Sequence, residues 1–275
     1  MIKTKDHLQM KSIPVLLLSA LLLSGCATHQ SPTGRGQTLL FSSQEISLMG
    51  DSSFEQIKKQ EKVSKNNKLV TYVDCVANRV TAVLPNKGLK WDVVVFESDQ
   101  VNAFALPGGH IGVYTGLLKI AENEDQLATV IGHEVAHVLA NHSNEQVSRA
   151  QMTGIGMQLA DAALGAGGVS NKDLYMAALG LGTQVGFILP YGREQESEAD
   201  IMGVELMARA GFDPRQSMQL WLNMAKVGGD QGPELLSTHP SHSHRIDDLS
   251  QMQAQVMPLY LASKDKVRNS CRISK

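Results

Sequence analysis

A chain of 275 residues is long enough for one generous domain or two small ones. Its composition is that of a globular protein, 43% hydrophobic and 19% charged, with a formal net charge of −2. That near-neutral balance, with no long basic run, leaves no electrostatic argument for nucleic acid.

The first element is not part of the fold. Lys3, Lys5 and Lys11 lead into an apolar run over 13–23, broken only by Pro14 and Ser19. A positive start before a short apolar stretch is the layout of a secretory signal, too short to span a bilayer. The run closes on Leu23-Ser24-Gly25-Cys26, which resembles the lipobox of bacterial lipoproteins. The resemblance implies a signal peptide over 1–25, lipidation at Cys26 and a protein held by lipid on a membrane surface. Ala27, in place of Asp, favours the periplasmic side of the bacterial outer membrane. Residues 26–41, polar with Gly and Pro, read as a lipidated tether. Two cysteines remain, Cys75 and Cys271. In an oxidising compartment they form either a disulfide or two separately buried thiols, with the bridge slightly favoured.

Helical patterning dominates from Ser42 to about Leu84, and the β-branched stretch 91–96 (WDVVVF) reads as a strand. In the following NAFALPGGHIGVYTG, Pro107-Gly108-Gly109 marks the turn of a hairpin, with His110 a hairpin residue. Asn123-Glu124-Asp125 then opens a helix, a capping residue followed by acids that suit the helix dipole. That helix is expected to run at least to Val147. Residues 151–189 are rich in Ala, Gly and Met, and 174–189 carry no charge. With several Gly, a Thr and a Gln, this stretch falls short of a membrane span and reads as a buried helix. A helix containing REQESEAD, a second from about Pro214 to Val227 and the loop HPSHSHR follow. A main domain over 42–262 and a tail over 263–275 complete the chain.

The chemistry lies in the helix opened by Asn123, which contains His133-Glu134-Val135-Ala136-His137. On an α-helix the two histidines stand about 40° apart on one face, so both imidazoles can point at one metal ion. Glu134 reaches the position where water binds and can take its proton. His142 lies nine residues after His133, about 180° around a continuous helix, and so reads as a surface or core histidine rather than a ligand. Glu196 and Asp200 share a face of the later helix. Pattern alone leaves them open between a ligand with a supporting carboxylate and a solvated acidic helix start.

HEVAH, then REQESEAD some sixty residues on, then STHPSHSHR, resembles peptidase family M48, most of all its soluble, OMA-like branch. The likeness covers roughly 101–249. It implies an α+β, mainly helical, zincin-like metallopeptidase domain with a small antiparallel sheet and one zinc ion per chain. Carried onto this chain, it implies zinc ligands His133, His137 and Glu196, the catalytic base Glu134 and a supporting Asp200. His239 and Arg245 match the family's loop, with roles at the metal or on the transition state; His239 can also occupy the open zinc position in a latent state. The Ser-Arg common before the Glu motif is Gly192-Arg193 here, which puts any hydroxyl role at that point in doubt.

In zincins a strand before the metal helix often aligns the substrate, and Asn102, Ala103 and Phe104, or the strand 111–114, are the candidates. The resulting expectation is a zinc endopeptidase for misfolded or misassembled envelope proteins, working through a Glu-activated zinc-bound water. The alternative is a periplasmic assembly factor for outer-membrane proteins that uses a latent peptidase domain. A structural zinc lipoprotein would need four protein ligands and no adjacent base. The sequence does not read out an oligomeric state.

Overall fold

The computed structural model describes residues 28–85, 89–165, 191–227, 234–240, 244–266 and 270–272. The signal segment, Cys26 and the uncharged stretch 174–189 lie outside them. Among the described residues, no helix is long and apolar enough to cross a membrane.

The chain opens with a small hairpin, β1 (Thr28–Gln30) against β2 (Gly36–Thr38). Helix α1 (Ser43–Gln60) starts in a capping box, where Ser42 and Glu45 satisfy each other's backbone N–H groups. Helix α2 (Asn67–Ala82) follows, capped by Asn66. The strands β3 (Asp92–Phe96), β4 (Ala103–Leu106) and β5 (His110–Tyr114) form one sheet in the order β3-β5-β4. The expected hairpin is the antiparallel pair β4–β5, and β3 joins β5 in parallel, so the sheet is mixed. Gly108 and Gly109 make the turn, both at positive φ (96° and 88°), where a side chain is strained.

Strand periodicity divides the core. Val95, Ala103, Ala105, Ile111 and Val113 face α2 and the metal-site helix α3 (Glu124–Leu139). On the other face Phe96, Leu106 and Tyr114 pack with Phe54 of α1, and Phe104 lies against them. His110 belongs to this second face. It stacks on Phe54 with centroids 4.5 Å apart, and its Nε2 meets Asp51 at 2.7 Å.

Three expectations change here. Helix α3 does not run on to Val147: it ends at Leu139, Asn141 takes a left-handed φ of 55°, and α4 (His142–Gly165) starts afresh. Asn tolerates that conformation better than most residues, which makes it a natural breaking point. From Thr28 onwards, the expected tether is instead the β1–β2 hairpin, docked because Arg35 and Gln37 find the buried Glu145. The C-terminal tail is also tied down. Cys271 is bonded to Cys75 with Cα atoms 5.6 Å apart, and its N–H donates to Glu124 in the first turn of α3.

The remaining helices are α5 (Arg193–Arg209), α6 (Gln216–Lys226), the short α7 (Glu234–Thr238) and α8 (Arg245–Lys264). Helix α5 starts at Gly192 without a side-chain cap oxygen, and the side chain of Gln195 accepts from the Gly192 N–H. Helices α3 and α5 cross in backbone contact at Gly132 and Gly203. A Cβ on Gly203 would stand 2.8 Å from the His133 nitrogen, and one on Gly132 2.7 Å from the Gly203 carbonyl oxygen. Neither neighbour is a side chain that can swing aside. Gly203→Ala is therefore expected to cost about 1–3 kcal/mol as the helices separate, measured as a fall in denaturation midpoint. An unchanged midpoint would show that the crossing is looser than it looks.

Candidate metal centre

The crossing sets α3 and α5 so that donors from both meet. His133 and His137 point one way from α3, as residues one turn apart must. Glu196 reaches them from the first turn of α5, and His239 from the segment just after α7. One donor atom from each of these four residues lies within 4.8 Å of the others, and all four residues are buried.

The spacings are informative. Nε2 of His133 is 3.1 Å from Nε2 of His137, 3.3 Å from Nδ1 of His239 and 3.4 Å from Oε2 of Glu196. Oε1 of Glu196 is 3.4 Å from Nε2 of His137 and 3.0 Å from Nδ1 of His239. A tetrahedron of ligands about 2.05 Å from zinc has edges of about 3.3 Å. These five separations are close to that edge length, with Glu196 turning Oε2 to His133 and Oε1 to His137 and His239.

Charge supports the same fit. Glu134, Glu196 and Asp200 are buried, and the guanidinium of Arg245, itself 1% exposed, bonds to the last two. With neutral imidazoles, the ionised set carries two uncompensated negative charges, the complement of a divalent cation. The titration tendencies express this demand. Burial opposes charge on His133, but Asp200 and Glu196 outweigh it and push its pKa up to about 10. Burial likewise works to raise Glu196, yet hydrogen bonds with His133, His137 and His239 hold it well below the carboxylate range. For His137 burial prevails and keeps the ring neutral, the form that binds metal.

Around this set stand the orienting groups. Oδ1 of Asp200 lies 3.0 Å from Nδ1 of His133, the outer nitrogen of that ring. Arg245 donates from Nε to Asp200 at 2.7 Å and from Nη2 to Glu196 at 2.6 Å. Its guanidinium carbon lies 4.1 Å from the centre of the Trp221 ring. Through these two donors Arg245 holds both carboxylates in place, which is one of the two roles expected of it.

Glu134 stands apart from the donors. Its Oε2 accepts from the Ala105 N–H at 3.2 Å, and its Oε1 lies 3.3 Å from Nε2 of His239. Burial, partly offset by the histidines, raises its pKa. Ala105 belongs to β4, which with β3 forms an edge of the sheet among the described residues, whereas β5 lies between them. Of the two candidate substrate strands, β5 is therefore excluded because it is paired on both sides. On β4, Ala103 lies on the edge, while Asn102 bonds back to Ala103 and Tyr114, and the ring of Phe104 turns to the second core. The N–H nearest the acid is that of Ala105.

Two aromatic residues flank His137 without a motif that marks them there. Tyr191 stacks on His137 at 3.9 Å with its hydroxyl 3.2 Å from Ser143, and no motif marks it. His142 was placed on the far side of a continuous helix. The break at Asn141 instead brings its Nδ1 to 2.8 Å from Nδ1 of His137, and its Nε2 to 3.1 Å from Glu198.

Two imidazoles from one helix turn, a carboxylate from a second helix and a buried acid beside them are the donor set of a zinc hydrolase. Residues 64–253 match the family described as Peptidase family M48. The chain is 37% identical to "Mitochondrial metalloendopeptidase OMA1" of Schizosaccharomyces pombe over 67% of this chain and 54% of that protein. It is 34% identical to the Arabidopsis thaliana protein of the same name over 85% of this chain and 46% of that protein. With "Beta-barrel assembly-enhancing protease" of Escherichia coli strain K12 it shares 29% identity, over 85% and 48% of the two chains. The chain spans about half the length of these curated relatives. It belongs to peptidase family M48, a family of zinc-dependent metallopeptidases.

Proposed function

We propose that this chain is a zinc endopeptidase that cleaves misfolded or misassembled proteins of the cell envelope. The observation that carries this reading is the position of Glu134, between the donor cluster and the N–H of an edge strand. In this reading His133, His137 and Glu196 hold the metal, with Asp200 and Arg245 fixing them. Zinc, when bound, supplies a Lewis acid that polarises the scissile carbonyl and acidifies water. Glu134 takes a proton from the attacking water and hands it to the leaving amine. Burial raises its pKa, the direction that strengthens it as a base.

Substrate backbone adds to the edge of β4 near Ala103 and Ala105, which brings a peptide carbonyl past the acid. Pairing through the backbone is indifferent to side chains, as befits a protease for unfolded chains. The lipobox at Cys26 supports an anchor on the periplasmic face of the outer membrane. A bacterial relative named for β-barrel assembly supports an envelope setting.

His239 gives the site a closed form. Its Nδ1 occupies the fourth corner of the donor set while its Nε2 faces Glu134, so both water and acid are blocked until the ring moves. The alternative, an assembly factor with a latent peptidase domain, draws on the same contact. A structural zinc site does not account for the buried acid beside the donors.

Two variants test the proposal. Glu134→Gln is expected to keep its zinc while casein cleavage falls by about 10²-fold or more; persistent cleavage would rule out the acid's role. His239→Ala is expected to raise basal cleavage of the same substrate, as the fourth corner opens. A loss of cleavage in a folded, zinc-loaded variant would instead make His239 part of the chemistry.

A further inference from the structure

His137 presents Nε2 to the donor cluster and turns Nδ1 outward, where Nδ1 of His142 stands 2.8 Å away. Two imidazole nitrogens at that separation share one proton. When Nε2 of His137 gives its lone pair to a metal, its Nδ1 carries the proton and donates. Nδ1 of His142 must then accept, which leaves the His142 proton on Nε2. That nitrogen meets Oε2 of Glu198 at 3.1 Å. Every proton along the chain has one place, and every acceptor is a lone pair.

Glu198 is in turn gripped by the N-terminal hairpin. The Thr33 hydroxyl donates to its Oε1 at 2.7 Å, and Nε of Arg35 donates to its Oε2 at 3.0 Å. The other face of the Arg35 guanidinium takes Glu145 through two bonds, at 2.9 and 2.7 Å. Glu145 also accepts from Gln195 at 3.0 Å, so the clamp reaches back to α5. His142, Glu198 and Glu145 are all buried. A buried polar network of this kind either fixes the packing of α4 on α5 or serves the ring at its end.

We propose that His142 and Glu198, clamped by Thr33 and Arg35, are positioning residues that orient the ligand His137. His133 has a carboxylate directly behind it, that of Asp200. His137 has its carboxylate one imidazole further out. The consequence is that the hairpin starting two residues after Cys26 is part of the outer shell of the metal centre, not a passive link to the lipid. Holding His137 in one tautomer and one ring orientation is what such a shell contributes to metal affinity. The inference rests on the reading of His137 as a zinc ligand.

The test measures zinc affinity by chelator competition on the full chain, beside the melting of the zinc-free protein. His142→Phe, which fills the space without an acceptor, and Arg35→Ala are expected to weaken zinc about 10–100-fold. His142→Gln is expected to retain most of the affinity, because its amide can accept from His137 and donate to Glu198. In the cobalt-substituted protein, the d–d absorption bands should shift with His142→Phe and return with His142→Gln. A His142→Phe protein that binds zinc within about twofold of the parent would overturn the proposal. Parent-like affinity in Arg35→Ala would remove the hairpin from it. A parent protein that binds no zinc would instead refute the metal-site reading itself. Should His142→Phe fail to fold, histidine-selective ¹⁵N NMR of the zinc-loaded parent decides. A through-bond coupling between Nδ1 of His137 and Nδ1 of His142 is expected, and a proton on Nδ1 of His142 would overturn the assignment.

Discussion

The crossing of α3 and α5 is the constraint on which the site depends. Backbone meets backbone at Gly132 and Gly203, at a distance where no side chain fits. Glu196 lies about two helical turns before Gly203, and Asp200 about one. The depth of the crossing therefore sets both carboxylates relative to His133 and His137. A helix pair held apart by ordinary side chains would have axes about 8–10 Å apart, and the carboxylates would recede with them. Arg245, at the start of α8, then bonds to both acids.

Electrostatics explains why so polar a cluster can sit inside the protein. Burying a carboxylate is costly unless it is paired, and here Glu196 and Asp200 share one guanidinium while Glu134 is buried without one. The imbalance is tolerable because the histidine donors converge on a place for a cation. The same economy recurs one layer out, where Arg35 balances Glu145 and Glu198 and both are held below the ordinary carboxylate range. There burial works to raise both carboxyls; hydrogen bonds from Arg35 and Gln195 outweigh it at Glu145, and those with His142, Ser31, Thr33 and Arg35 outweigh it at Glu198.

Much of this was legible in the residues because local periodicity governs it. The i, i+4 spacing of His133 and His137, the capping of α3 by Asn123 and the Pro-Gly-Gly turn are short-range features, and each element stands where the pattern puts it. Glu196 is ambiguous from pattern alone, because its partners lie more than forty residues away, and the family resemblance supplies the choice. His142 is a buried histidine outside the donor set, as its spacing implies, but its closeness to His137 does not follow from that spacing. The helical-wheel argument assumed an unbroken helix, and one left-handed residue, Asn141, invalidates it. The hairpin over 28–38 looked like a linker because its composition is polar. Its order comes from buried ion pairs with residues more than a hundred positions away, which no local reading exposes.

The central claim is that this cluster holds zinc through residues from both crossing helices. The direct measurement is the metal content, by mass spectrometry, of the purified parent chain and of Glu196→Gln prepared side by side. About one zinc per parent chain, with most of it lost from a folded Glu196→Gln protein, is the predicted result. A folded parent chain without zinc, or a variant that keeps its full complement, would contradict the account.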